Sequence, residues 1–399
     1  MGKQNLTLMT DLYELTMMQG YFRNKDRNET VIFDAFYRNN PMDSGYSICA
    51  GLEQVIGDGI MEFGLRRAQG PDAGTLGARA AMIGGCVGTS NVLAGQLFDV
   101  PVKGTHAHSW IMSFPDEYTA FKTYADMYPS ACILLVDTYD TLKSGVPNAI
   151  RVFTEMREAG IPLTFYGIRL DSGDLAYLSK KARKMLDEAG FPDAVISASN
   201  DLDEYLIDSL KVQGCKITSW GVGTHLITSK DWPSFGGVYK LAAIQDAQSG
   251  EFIPKIKLSE NSEKITNPGN KKIYRIYEKD TGKIKADLIC LVDETYDEND
   301  PLVLFDPNEP WKKTKLLPGT YELRELMVHV FNHGNCIYHS PNAGPRPPKA
   351  RDIRDYCQKE LETLWEETRR LVNPHGVYVD LSQKLYDMKI SLLNQMSQV

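Results

Sequence analysis

The sequence predicts an α/β protein with a parallel βα barrel in its middle and a second, partly antiparallel α/β domain. Three observations predict it. Apolar strand candidates begin at 132, 163, 194 and 216, separated by 31, 31 and 22 residues. That is the spacing of βα units, which implies parallel strands joined by right-handed crossovers. Helical patterns fill the intervals, such as Val146 to Ala159 and Leu175 to Ala189, the second closed by Gly190 as a C-terminal glycine. From about 237, by contrast, strands follow one another with no helix between them.

The elements divide into three zones. In the N-terminal segment, 1–60, Asp11 can cap a helix, with Glu14 at capping-box spacing. Leu12, Leu15, Met18 and Phe22 then form one apolar stripe at helical spacing. Val31-Ile-Phe-Asp-Ala-Phe-Tyr37 follows as a strand rich in aromatic and β-branched residues, expected to pack with the strands of 232–300. Residues 61–231 form the barrel, with strands at 101–106 (the weakest), 132–137, 163–170, 194–199 and 216–222. Ala and Gly enrichment in Ala78-Arg-Ala-Ala-Met-Ile-Gly-Gly-Cys86 reads as a helix packed closely on that barrel. Strands then begin at Gly237, Phe252, Lys272 and Ala286, with a tight turn at Asp280-Thr-Gly282 that favours antiparallel pairing. The C-terminal region, 301–399, reads as mostly helical: a loop over Pro341 to Pro348, then a long charged helix from Ala350 to Leu371.

Composition excludes several classes. With 42% hydrophobic and 24% charged residues in 399, the chain is neither disordered nor fibrous. Forty-four basic residues against 52 acidic ones give a net charge of −8, which argues against general nucleic-acid or anionic-membrane binding but leaves room for a local phosphate pocket. The N-terminus lacks the apolar core of a signal peptide, Leu6 breaks a myristoylation motif, and no apolar run reaches membrane-spanning length. Seven scattered cysteines without a Cys-x-x-Cys pair fit a reducing cytoplasm.

In a βα barrel, chemistry sits at the C-terminal strand ends. Here those ends are polar: Arg66-Arg67, Gly104-Thr-His-Ala-His108-Ser, Asp137-Thr-Tyr-Asp140, Arg169-Leu-Asp171-Ser-Gly-Asp174, Ser199-Asn200-Asp201 and Gly221-Val-Gly-Thr224. Arginines offer forked donors for phosphate or carboxylate. The last loop can present backbone N–H groups to a phosphate, and Asp137 and Asp171 can hold a Mg²⁺ bridging phosphate oxygens. Taken singly, an Arg-Arg pair is usually surface and a Gly-x-Gly usually a turn; six such ends in succession outweigh that. His106-x-His108 has three readings: two imidazoles on one strand face holding a metal, one histidine as nucleophile or acid–base group, or two structural histidines. Tyr13 by default is a core or interface residue.

At Phe63-Gly-Leu-Arg66-Arg67-Ala-Gln-Gly-Pro-Asp72, Gly88-Thr-Ser-Asn-Val-Leu-Ala-Gly95 and the Gly104, Gly167 and Gly221 motifs, the chain resembles the nicotinate phosphoribosyltransferases. The resemblance runs from Thr10-Asp-Leu-Tyr13 through the C-terminal helices, nearly the whole chain. It implies an irregular α/β barrel of the type II phosphoribosyltransferase kind, a second domain built from chain on both sides of it, and a homodimer with shared active sites. The implied reaction joins nicotinate to 5-phosphoribosyl-1-diphosphate, giving nicotinate mononucleotide and diphosphate with ATP hydrolysed alongside, in NAD salvage. By match of motif, His108 corresponds to a transiently phosphorylated histidine. Tyr13 would stack on the pyridine ring of the neighbouring subunit's site. Thr105 and Arg169 would bind nicotinate, and Gly223 and Thr224 the ribose 5-phosphate. Arg66, Asp137 and Asp171 would contact diphosphate and Mg²⁺.

The resemblance also marks a departure. The family carries several tens of residues between the motifs resembling Ala50-Gly-Leu-Glu-Gln54 and Met61-Glu-Phe-Gly64, where this chain has only Val55-Ile-Gly-Asp-Gly-Ile60. The alternatives are accordingly a nicotinamide or quinolinate transferase, a hydrolase holding Zn²⁺ on His106 and His108, and an inactive relative that has lost this segment.

Overall fold

The computed structural model describes residues 10–23, 30–37, 59–230, 233–234, 236–261, 264–333, 335–338 and 349–396. The junction at 54–61 therefore lies, up to Asp58, outside the described residues.

Seventeen strands are described in chain order: β1 (Val31–Tyr37), β2 (Ile60–Glu62), β3 (Gly88–Thr89), β4 (Cys132–Leu135), β5 (Tyr166–Leu170), β6 (Val195–Asn200), β7 (Ser219–Val222), β8 (Gly237–Gln245), β9 (Phe252–Pro254), β10 (Lys271–Glu278), β11 (Ile284–Leu291), β12 (Leu302–Phe305), β13 (Lys313–Leu316), β14 (Tyr321–Glu325), β15 (Phe331–Asn332), β16 (Asn335–Cys336) and β17 (Val379–Leu381). Six form one parallel sheet in the order β3-β2-β7-β6-β5-β4. Such strands are covered on both faces and read as apolar runs. Cys132–Leu135 is buried throughout, and Ile168, Ala198 and Trp220 continue the core from neighbouring strands.

Helices cover the sheet by burying one stripe each. Val146–Glu158 buries Val146, Ala149, Val152, Phe153 and Met156, and Leu175–Glu188 buries Leu175, Ala176, Ser179, Ala182 and Leu186. Asp174 caps the second by accepting from the Tyr177 N–H at 2.9 Å. Helix Pro71–Ile83 packs through small residues: a Cβ on Gly77 would come within 2.5 Å of Ile227.

The strand expected at 101–106 does not form. Pro101 and Gly104 interrupt it, and only a single parallel bridge joins Val102 to Thr89. His106 and His108 therefore do not alternate along a strand.

Chain from both sides of the parallel sheet builds the rest. β1 pairs antiparallel with β8, and β8 with β9. A second mixed sheet runs β14-β10-β11-β17, antiparallel except for the parallel β11–β17 pair. Buried Lys271 donates to Asp34 at 2.8 Å and to the Gly269 carbonyl, tying β1 to β10. The region from 301 is not mostly helical at its start: β12 to β16 fill 302–336. These runs are two to five residues long, and apart from Leu302–Phe305 they carry little apolar signal, as in Lys313-Thr-Lys-Leu316. The charged helix is also shorter than expected, Ala350–Glu362, giving way to a 3₁₀ turn at Glu366–Arg369. Helix Leu12–Arg23 buries none of its residues; Leu12 is 75% and Phe22 90% exposed.

Candidate active site

Three neighbouring parallel strands, β4, β5 and β6, bring their C-terminal ends together around Arg169, the penultimate residue of β5. β4 contributes Asp137 and Thr138 just beyond its end, β5 contributes Arg169 and Asp171, and β6 contributes Ser199. Thr105 and His106 come from the irregular loop, and His108 opens helix His108–Met112.

Arg169 is held on three sides. Its Nε donates to Ser199 Oγ at 2.9 Å, and one terminal nitrogen donates to Thr105 Oγ1 at 2.6 Å and the His106 carbonyl at 3.2 Å. The other terminal nitrogen lies 3.5 Å from Asp171. Ser199 in turn donates to Asp171. Burial pushes the Asp171 carboxyl up, but the Ser199 hydrogen bond and the charges of Arg169 and His108 outweigh it and hold it below its ordinary range.

His108 faces two carboxylates. Its Nε2 lies 3.6 Å from Asp171 Oδ2 and 4.0 Å from Asp137 Oδ1, while its Nδ1 is 3.0 Å from Thr138 Oγ1. Asp137 Oδ2 accepts from the Asp171 N–H at 2.8 Å and from Ser172 Oγ at 2.7 Å. Asp137 Oδ1 is buried with no hydrogen-bond partner. That orphaned oxygen suits a cation ligand, although no group of three His, Cys, Asp or Glu side chains among the described residues is arranged for a metal.

His106 turns away. Its ring packs edge-on to Tyr124 at 4.6 Å, and its Nε2 accepts from the Leu135 N–H at 3.4 Å. Burial, helped by the charges of Arg169 and His108 and opposed by a backbone hydrogen bond at Ala107, lowers its pKa to about 4. The reading with both imidazoles on one metal is therefore corrected: one is a neutral packing residue, the other faces the site.

The glycine loop after β7 sits beside this cluster, since Ser199 pairs with Gly221 across β6 and β7. A Cβ on Gly221 would lie 2.5 Å from the Phe63 ring, and one on Gly223 would lie 3.2 Å from the Phe63 carbonyl. The turn that leads to Arg66 thus packs directly on the loop. Buried Glu62 pins that turn by accepting from the Gly64 N–H and from Thr89 Oγ1. Thr224 donates to Asp201 at 3.4 Å, and His225 pairs with Asp203 at 3.2 Å. No hydrogen bond or ion pair among the described residues joins Arg66, Gly223, Thr224 or Tyr13 to the His108 cluster; Arg66 is exposed and Tyr13 lies on the uncovered first helix. In the sequence, Thr138 and Ser199 stand out only as members of the polar strand ends, and Glu62 carries no signal of its own.

Residues 59–268 match the family model described as the nicotinate phosphoribosyltransferase (NAPRTase) family, with 8–67 and 270–389 matching its N-terminal and C-terminal domains. A nicotinate phosphoribosyltransferase of Bacillus subtilis is 38% identical over 98% of this chain and 96% of its own length. The chain belongs to the nicotinate phosphoribosyltransferase family. A Homo sapiens nicotinate phosphoribosyltransferase is 32% identical over 84% of this chain and 68% of its own length. The crystal structure of human nicotinic acid phosphoribosyltransferase, 24% identical, shares the fold with a TM-score of 0.75 over 97% of this chain and 100% of that one. The structure of nicotinate-nucleotide pyrophosphorylase from Pyrococcus furiosus shares it more distantly, at 20% identity and a TM-score of 0.56 over 82% of this chain and 71% of that one. The fold is thus the type II phosphoribosyltransferase α/β fold with a second domain. The match to the family's C-terminal domain begins at 270, beside the start of β10. The Bacillus subtilis alignment spans 484 positions against 399 residues here, so at least 85 of them have no counterpart in this enzyme.

Proposed function

We propose that this enzyme converts nicotinate and 5-phosphoribosyl-1-diphosphate to nicotinate mononucleotide and diphosphate, hydrolysing ATP to ADP and phosphate through a phosphohistidine on His108, in cytoplasmic salvage toward NAD. The observation that carries the reading is the contiguity of Arg169, Asp171 and His108. A forked cation suited to a pyridine carboxylate stands one carboxylate away from an imidazole able to accept a phosphoryl group.

The chemistry needs little proton transfer. The pyridine nitrogen attacks ribose C1 as the C1–oxygen bond to diphosphate breaks, through an oxocarbenium-like state, so alignment and charge neutralisation dominate. Thr105 and Arg169 orient the base by its carboxylate, Gly223 and Thr224 hold the 5-phosphate, and Arg66 receives the departing diphosphate. Asp137, with its orphaned Oδ1, and Asp171 would hold Mg²⁺, which neutralises phosphate oxygens. His108 takes the γ-phosphoryl of ATP, and the added charge reshapes the phosphate loops. The bare apolar stripe of helix Leu12–Arg23 supports a homodimer in which Tyr13 reaches the neighbouring site.

The test is nucleotide formation from phosphoribosyl diphosphate with nicotinate, nicotinamide or quinolinate, each with and without ATP. Nicotinate alone should be used well, and faster with ATP. Preference for another base, or no product from any, would overturn the reading.

A further inference from the structure

We propose that Ser199 is a positioning residue that keeps Arg169 and Asp171 from closing into a two-point ion pair, and so sets the enzyme's preference for a carboxylate-bearing base. The inference rests on Arg169 being the group that binds that carboxylate.

Arg169 and Asp171 are two residues apart at one strand end, carry opposite charges and are both largely shielded from water. A forked arginine and a carboxylate so placed ordinarily close into a two-point ion pair with N–O distances near 2.8 Å. Here they stand 3.5 Å apart at their nearest approach. The hydroxyl between them explains it. Ser199 has one hydrogen and two lone pairs; it accepts from Arg169 Nε and donates its hydrogen to Asp171 Oδ1. The hydroxyl thus serves both groups at once, and the direct Arg169–Asp171 contact stays at 3.5 Å instead of closing into the two-point pair. The spacer is itself fixed, because Ser199 is buried on β6, between β5 and β7 in the sheet. With its remaining donors on Thr105 and the His106 carbonyl, the guanidinium leaves its other terminal nitrogen with only the 3.5 Å contact to Asp171, the position a substrate carboxylate would take.

Removing the hydroxyl leaves Arg169 Nε and Asp171 Oδ1 each short of a partner in shielded surroundings, and direct pairing is the nearest remedy. That would swing the guanidinium off the base site and draw Asp171 away from His108.

The test compares the wild type with Ser199→Ala and Ser199→Thr, reading kcat/KM for nicotinate and for nicotinamide. Ser199→Ala should lower the nicotinate-to-nicotinamide ratio by at least about tenfold, the effect of one lost charge-assisted hydrogen bond. Ser199→Thr, which keeps the hydroxyl, should hold the ratio within about twofold on the same scale. A general folding defect would depress both bases together and leave the ratio alone, and that result would overturn the inference. A crystal structure of Ser199→Ala gives a readout free of activity: Arg169 paired directly with Asp171 supports the spacer role, and an unmoved guanidinium refutes it. Failure of the underlying reading looks different, because the wild type itself would then show no preference for nicotinate.

Discussion

His108 Nε2 stands 3.6 Å from Asp171 Oδ2, and Asp171 is also the carboxylate that shares Ser199 with Arg169. One aspartate thus touches both the imidazole and the arginine's hydrogen-bond shell. Under the function proposed above, a phosphoryl group gained at His108 would act on Arg169 through this carboxylate, a physical route from ATP use to nicotinate binding.

The first prediction follows from that route. His108→Ala should abolish ADP formation while leaving slow, ATP-independent nucleotide synthesis, because alignment and charge neutralisation survive loss of the phosphoryl acceptor. The fall in kcat/KM for nicotinate should be about 5- to 150-fold, the range of a coupling energy of 1–3 kcal/mol. Parallel assays of ADP and of nicotinate mononucleotide decide it; a variant that still hydrolyses ATP normally would remove His108 from this role.

A second prediction concerns the turn after Asp137. Gly145 ends a π-helical turn, Thr141–Gly145, with ordinary helical angles, so conformation is not what requires glycine there. Space is: an added Cβ would sit 1.8 Å from the Val136 carbonyl oxygen. Glu117 clamps the same turn by accepting from Ser144 and from Asn148 at 3.0 Å, so the backbone has little freedom to retreat. Gly145→Ala should therefore destabilise by about 3 kcal/mol, at the upper end of overpacking. Gly376→Ala, which meets nothing within 4 Å, serves as the control in the same thermal melt and should change little.

The parallel strands were legible because they are continuous apolar runs at βα spacing, a signal that burial on both faces writes directly into sequence. Cys132–Leu135 and Val195–Asn200 fall where the runs do. The misses share a different cause. β12 to β16 are only two to five residues long, and β13 and β14 carry exposed charged residues, so no period stands out. His106 and His108 were two residues apart in a segment with Pro101 and Gly104, and nothing local says that one ring would turn onto Tyr124 while the other opens a helix. Ser199 and Thr138 enter the cluster through tertiary contacts with residues about 30 positions away, which no local pattern encodes.

The third prediction tests the uncovered first helix. Tyr13→Ala and His108→Ala should each be inactive or slow alone. If Tyr13 completes the neighbouring subunit's site, random reassociation places one unaltered site in every mixed dimer, restoring about a quarter of wild-type activity for an isologous pair. Activity of the mixture no greater than the sum of the two variants would show that Tyr13 serves its own chain or none.

The last prediction is a pH dependence of stability written by His106. Its ordinary pKa of 6.5 falls to about 4 in the folded chain, chiefly because burial disfavours the imidazolium. The unfolded chain therefore binds a proton from about pH 6.5 downward, where the folded chain does not. Stability from this residue is whole above 6.5, declines as pH falls between 6.5 and 4, and is level again below 4. Each tenfold difference in proton affinity is worth about 1.4 kcal/mol, so the loss between pH 7 and pH 5 should be about 2 kcal/mol. His106→Gln is less stable at neutral pH, since glutamine fits the slot against Tyr124 less well, but it has no proton to take up. Its stability should fall less than the wild type's between pH 7 and pH 5, by about that same 2 kcal/mol, with every other titrating group common to both chains. Urea unfolding at the two pH values measures the difference directly. Equal losses in the two proteins would mean that the His106 imidazole takes up its proton as readily folded as unfolded, and the neutral packing role assigned to it would fall.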